Sequence, residues 1–278
     1  MNRSVRVLVG LTIALAVLLS AGCTKLRARD QLNKGVQSYK NARYEEAIEH
    51  FKNAVSLDGT LVNARLYLAT AYAQQYIPGA ETEENNRYAN SAIEEFKNVL
   101  AQKPGRDSEV GSLKGIASLY FNMKKLDQAK EYHKKVIELD PNNPEAYYSI
   151  GVIDWTETYQ PRMEERAKLG LKPTEDLSAK DKDQKKACLA LKEKNQANVE
   201  EGIKMLEQAL KLRPDYDDAM AYMNLMYRER ADYECDDPDA RAADKKTADE
   251  WVDKTMATKK AKAEKQGAGG IVLDQQNK

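Results

Sequence analysis

Apolar residues recur along this chain four and seven places apart, a spacing that puts them on one face of an α-helix. The block Ala47, Phe51, Ala54 runs into Leu57 and Asp58. It returns as Ala92, Phe96, Val99 before Pro104, as Ala129, His133, Val136 before Leu139, Asp140 and Pro141, and as Gly202, Leu206, Ala209 before Leu212 and Pro214. Upstream of each block a second amphipathic stretch carries a small residue and an aromatic: Gly35 with Tyr39, Ala69 with Tyr72, Ala117 with Tyr120, Gly151 with Trp155. A small residue lets two antiparallel helix axes approach, and the ring fills the space above it. Each such hairpin exposes an apolar face that only another hairpin can cover, so the recurrence predicts a stacked helical array. The repeated small and aromatic positions are accordingly expected in its core.

The segment from Gly35 to Val55 carries these positions most completely. It resembles the tetratricopeptide repeat, a helix-turn-helix unit of about 34 residues. The resemblance extends over residues 28–260 and implies an all-α solenoid of helical hairpins at 30–260, with repeats at 28–61, 62–106, 110–143, 144–216 and 217–260. The last of these holds Met223, Leu225 and Tyr227 and departs furthest, with Trp251 standing where a Phe is usual. Three repeats exceed the unit length, and the excess is expected between first and second helix. In the second repeat it spans Gln74 to Ser91, where Pro78 and Gly79 stop the first helix and Glu81, Glu83 and Glu84 follow. In the fourth it spans Thr156 to Asn198 and opens on Tyr159, Gln160 and Pro161. Helices are predicted there at 161–169 and 179–194, on either side of a break from Gly170 to Pro173.

In this family ligands lie along the concave face lined by the first helix of each unit. Counting from each repeat start puts Tyr39, Lys114, Phe121, Asn122, Tyr148, Trp155 and Arg228 on that face. Tyr148 and Trp155 are the expected anchors, since aromatics dominate interface energetics. The set does not reproduce the Lys/Asn/Arg carboxylate clamp of the chaperone-binding members, so an acidic C-terminus is not the expected ligand. Protein or peptide segments are the implied partners, with self-association through the groove as an alternative. A further alternative is a carrier or enzyme whose pocket the 156–198 insertion closes.

Charge changes the picture by exclusion. Lys plus Arg number 44 and Asp plus Glu 44, so no basic surface large enough to drive nucleic-acid binding is implied. The first 22 residues read as a signal peptide: Arg3 and Arg6, an apolar run from Val7 to Leu19, then Ser20, Ala21 and Gly22. That run is short for a bilayer span. Leu19 to Cys23 resembles the lipobox of bacterial lipoproteins, although Ser20 stands where Leu is commoner. The resemblance implies cleavage between Gly22 and Cys23, lipid attachment at Cys23 and a membrane partner. Thr24 after the cysteine, rather than Asp, implies the outer membrane of the bacterial envelope over the inner, on its periplasmic face. Residues 23–29 are expected to be a tether of at most about 20 Å, with Lys25, Arg27 and Arg29 either meeting anionic headgroups or simply solvated.

Little in the chain points to catalysis. His50 and His133 are the only histidines and lack metal-ligand spacing with any cysteine. No nucleophile elbow or phosphate-cradling glycine loop is present. The carboxylates Asp232, Glu234, Asp236, Asp237 and Asp239 are dense but lack calcium-loop spacing. Neither a cofactor nor a metal is expected. Cys188 and Cys235 fall in the insertions of the fourth and fifth repeats, and export to an oxidising compartment makes a disulfide between them reasonable; two separately buried thiols are the alternative. Gly267 to Gly270 should break the last helix and leave 261–278 as a flexible tail.

Overall fold

The computed structural model describes residues 23–172, 175, 177 and 180–275, with side chains to Lys265. The expected signal peptide at 1–22 lies outside the described residues. Among them the regular structure is all helical: α1 (23–40), α2 (Tyr44–Leu57), α3 (Val62–Gln75), α4 (Glu83–Ala101), α5 (Arg106–Asn122), α6 (Leu126–Leu139), α7 (Pro144–Lys168), α8 (Lys182–Leu212), α9 (Asp217–Ala231) and α10 (Pro238–Gln275). The helices fall in consecutive pairs that follow the repeats read from the sequence. Two compact units are distinguished, one ending at Tyr132 and the other beginning at His133.

In the first unit the repeat positions do what their spacing demands. Ala47, Phe51 and Ala54 are fully buried, and a methyl group placed on Gly35 would overlap the Phe51 ring. The glycine is therefore what lets α1 and α2 close on each other. The same device recurs at Gly115, where an added Cβ would stand 2.6 Å from Cζ of Phe96. Ala69, Ala92, Ile93, Phe96, Ile116 and Leu119 form one continuous core with Tyr72, Tyr76 and Tyr120 packed on it. Burying a side chain of the size of Phe51 is worth roughly 1.5–3 kcal/mol, which is why each hairpin needs its neighbour.

Thr82 caps α4 by accepting from the Asn85 amide at 3.1 Å. Buried Asn85 in turn holds the preceding loop, accepting from Ile77 N at 2.7 Å and donating to the Ile77 and Ala80 carbonyls at 2.8 Å. The excess of the second repeat thus goes mostly into the start of α4, at Glu83, instead of a 74–91 loop.

The second unit repeats the pattern on longer helices. Asn143 caps α7, whose first position is Pro144. Gly151 faces Leu206, whose Cγ would be 2.6 Å from an added Cβ. Ala146, Ile150, Ile153, Val199, Leu206, Ala209, Met223 and Met226 are buried.

Three expectations differ from the structure. Pro161 does not interrupt the chain but sits inside α7, which runs on to the break expected at Gly170, at φ 66°. The 156–198 insertion is consequently the far end of α7 and the near end of α8, a lengthened hairpin; Ala179, the expected start of its second helix, lies outside the described residues. Residues 24–29 are helical, not an extended tether, which shortens their span to roughly 10 Å. The backbone of α10 also continues through Gly267 to Gly270 as far as Gln275, where a break was expected.

Candidate binding surface and a buried ionic stripe

The residues expected to line the ligand face fall in both units. In the first, Tyr39 is half-buried beside the Ala47, Phe51 and Leu68 cluster, its ring edge-on to Tyr44 at 5.3 Å. Burial, then the proximity of Tyr44, raises its pKa. Lys114, Phe121 and Asn122 are each half-exposed on α5. The Asn122 carbonyl accepts a long bond from the Tyr76 hydroxyl at 3.4 Å.

In the second unit Tyr148 and Trp155 do not stand free. Tyr148 packs 4.8 Å from the ring of Tyr216 and 5.7 Å from that of Tyr222, while Trp155 meets Tyr222 at 5.5 Å and Tyr159 at 4.9 Å. These tilted and edge-on contacts hold five rings, from α7, α9 and the turn before α9, as one platform. Burial raises the Tyr148 pKa and pushes Tyr216 up to about 12, the latter against the opposing pull of Arg213, which lies 4.5 Å over its ring. Burial raises Tyr222 as well, so Tyr148, Tyr216 and Tyr222 stay neutral near pH 7, which suits an amphipathic contact surface. Tyr159 is the outermost ring, 40% exposed. Arg228 is already engaged, donating to Asn224 at 2.8 Å and to Asp249 at 2.7 Å. Tyr159, Tyr216 and Tyr222 were not singled out for this face from the sequence, because counting repeat positions does not reveal which rings from the next hairpin reach back.

A second feature went unread. Asp154, Thr158, Arg162 and Arg166 follow one another at four-residue intervals, hence on one face of α7, and all but Arg162 are fully buried. Across from them stand Glu229 and Asp232. Arg162 Nε and Arg166 Nη1 both donate to Asp232 Oδ2, at 2.7 and 2.8 Å, and Arg166 also donates to the Lys172 and Glu175 carbonyls. Asn195 of α8, also buried, donates to the Thr158 carbonyl at 3.0 Å, just ahead of Pro161.

Glu229, 2% exposed, has Arg162 Nη1 at 3.5 Å, too far for a strong hydrogen bond. Burial pushes its pKa up to about 7; Arg162 and Arg166 act against that and Asp232 adds to it. Charged groups this deep are tolerated only when paired. What the arrangement does is fasten the end of α7 to the end of α9.

The loop after α9 is held from α8 as well. Cys188 and Cys235 are joined in a disulfide with Cα atoms 5.6 Å apart, Lys185 meets Asp236 at 2.6 Å, and Tyr233 is buried. Asp232 and Asp236, two of the dense carboxylates of the sequence, are thereby committed to cations of this chain. Inside the insertion, Leu177, Ala187, Cys188 and Leu191 pack as core. A depression of about 650 Å³ is an open surface on α8 lined by Leu189, Lys192, Glu193, Gln196, Ala197 and Glu200.

Paired helices with small residues at the crossings define a helical-hairpin repeat protein. Residues 111–143 match the family model of the tetratricopeptide repeat. The fold of the chain is similar to that of MamA, at 15% identity over 86% of this chain and 94% of that one, with a TM-score of 0.55. MamA 41-end from Desulfovibrio magneticus RS-1 gives 16% identity, 84% and 96% coverage, and 0.54. YrrB, described as a TPR protein with an unusual peptide-binding site, gives 13%, 82% and 84%, and 0.51. No curated protein matches the chain in sequence.

Proposed function

We propose that this chain is a lipid-anchored scaffold of the bacterial envelope, holding protein segments on its repeats and serving the assembly or upkeep of an envelope complex. The observation that carries partner binding is the ring platform on α7 and α9, half-exposed and framed by Arg213 and Glu145. A surface of that kind binds by apolar area with polar registration at its rim. The packed interior of the insertion argues for a surface that engages a chain over a pocket that encloses a small molecule.

Anchoring rests on the signal-like first 22 residues and on Cys23, which is exposed and unbridged. Thr24 after it favours the outer membrane. Affinity capture from membranes, with the parent chain and with Tyr159→Ser, tests the partner surface. Tyr159 is the outermost ring, so its loss should weaken capture at least tenfold while helical content stays unchanged. Equal recovery of the same partners by both chains would sink the platform as the site. The anchor is tested by Cys23→Ala: a variant that still fractionates as a processed, membrane-bound protein rules out lipid attachment there.

A further inference from the structure

We propose that the first turn and a half of α1 is a lipid-facing seat, in which Leu26, Lys25, Arg27 and Arg29 rest on a bilayer surface carrying anionic headgroups. The inference deepens the anchored reading and relies on it only to bring residue 23 to a membrane. Its basis is that this stretch is helix. Ala28 is fully buried in the first hairpin, and Leu26, two residues earlier and so about 200° round the helix, projects the opposite way, 70% exposed. An exposed leucine by itself is ordinary. This one lies three residues after Cys23, so on the same side of α1, and exposed Lys25, Arg27 and Arg29 surround it.

Further along, Asp30 is tied to Lys34 at 2.7 Å, and Asp58 is the carboxylate that Lys25 and Arg29 feel, so the start of the helix keeps a net excess of positive charge, with Arg27 outside that group. Anionic headgroups are the complement of that charge, and the acyl boundary is the complement of the leucine. No helix among the described residues is long and apolar enough to cross a membrane, so a surface seat is the contact this part of the chain can make. Because Ala28 is locked into the hairpin, the seat would fix the tilt of the first repeat above the lipid rather than let it swing.

The test uses the full chain, purified from membranes and reconstituted into phosphatidylglycerol or phosphatidylcholine vesicles. Leu26→Cys carries an environment-sensitive dye, and the parent chain labelled in parallel reports any dye reaching Cys23. The expected result is several-fold stronger shielding from an aqueous quencher on phosphatidylglycerol than on phosphatidylcholine. Shielding should vanish when Lys25, Arg27 and Arg29 are all replaced by Gln, each cation near an anionic surface being worth about fivefold in partitioning. If the chain floats with both vesicle types and the dye is equally quenched on each, the seat is wrong and the anchor stands. If it floats with phosphatidylglycerol alone and the dye is shielded, the seat stands and the acyl anchor falls. Flotation with neither overturns both.

Discussion

The hairpins of the first unit and the lengthened hairpin of the second solve one packing problem with different materials. Around Gly35 and Gly115 the helices close by shape, a glycine receiving the ring of Phe51 or Phe96. At the far end of α7 they close by charge, through Arg162 and Arg166 on Asp232, and the bond from Cys188 to Cys235 ties α8 to the loop after α9. The difference follows from position. Within a repeat each apolar face has the next hairpin to cover it, whereas the extension adds to its own small apolar core of Leu177, Ala187, Cys188 and Leu191 a set of polar groups at the end of α9 and in the loop after it. Shape packing is tolerant of conditions; charge and redox fastening is not.

The comparison breaks most sharply at the disulfide. Closing 47 residues contributes about 4 kcal/mol in the chain-entropy model, so Cys188→Ala with Cys235→Ala should lower the denaturant midpoint to match. A midpoint unmoved by reductant in the parent chain would remove the bond from the account. Next comes Arg166. Replacing it with Ala leaves Asp232 with Arg162 as its remaining arginine and removes the donor to the Lys172 and Glu175 carbonyls, and should cost roughly 3 kcal/mol. In hydrogen exchange the loss should show in α7 to α9 and leave α2 to α4 protected. A cost under about 1 kcal/mol would mean the stripe fastens nothing.

Glu229 sharpens the contrast through pH. Folded, it keeps its proton to about pH 7, whereas a free glutamate releases it near 4.5. Between those values the folded state binds more protons, so its stabilising contribution is complete below about pH 4.5 and is lost as pH rises through 7. Glu229→Gln should flatten that slope, worth up to roughly 3 kcal/mol. A parent chain equally stable at pH 5 and 8 would contradict this. The smallest effect belongs to shape: Gly151→Ala, pressed against Leu206, should cost about 1–3 kcal/mol at any pH. Were that cost to vary with pH, the two modes of closure would not be separable.

The repeat register was legible because it is written in residue size at helical spacing, and Ala47, Phe51, Val136, Leu206 and Ala209 are all buried as that spacing requires. Pro161 misled because a proline speaks only about its own turn. Asn195 takes the Thr158 carbonyl just before it and two arginines are paired just after, so contacts far along the chain outweigh the local penalty. Gly267 to Gly270 misled in the same direction, propensity reading as a stop where the backbone stays helical. The ionic stripe was present as Asp154, Thr158, Arg162 and Arg166 at intervals of four, but a solvated helix face carries the same pattern. Only the opposing Glu229 and Asp232, some 70 residues on, distinguish the two.

The disulfide also bears on how the chain avoids tangling during oxidation. Three cysteines allow three pairings, and two of them involve Cys23. A lipid group on that sulfur, as proposed, would remove both wrong pairings. The remaining pair lies on either side of most of α8 and all of α9, so the thiols meet only after those helices have docked. Crosslinking would then act as a proofreading step, sealing correctly stacked copies and leaving unsealed ones marked by free thiols.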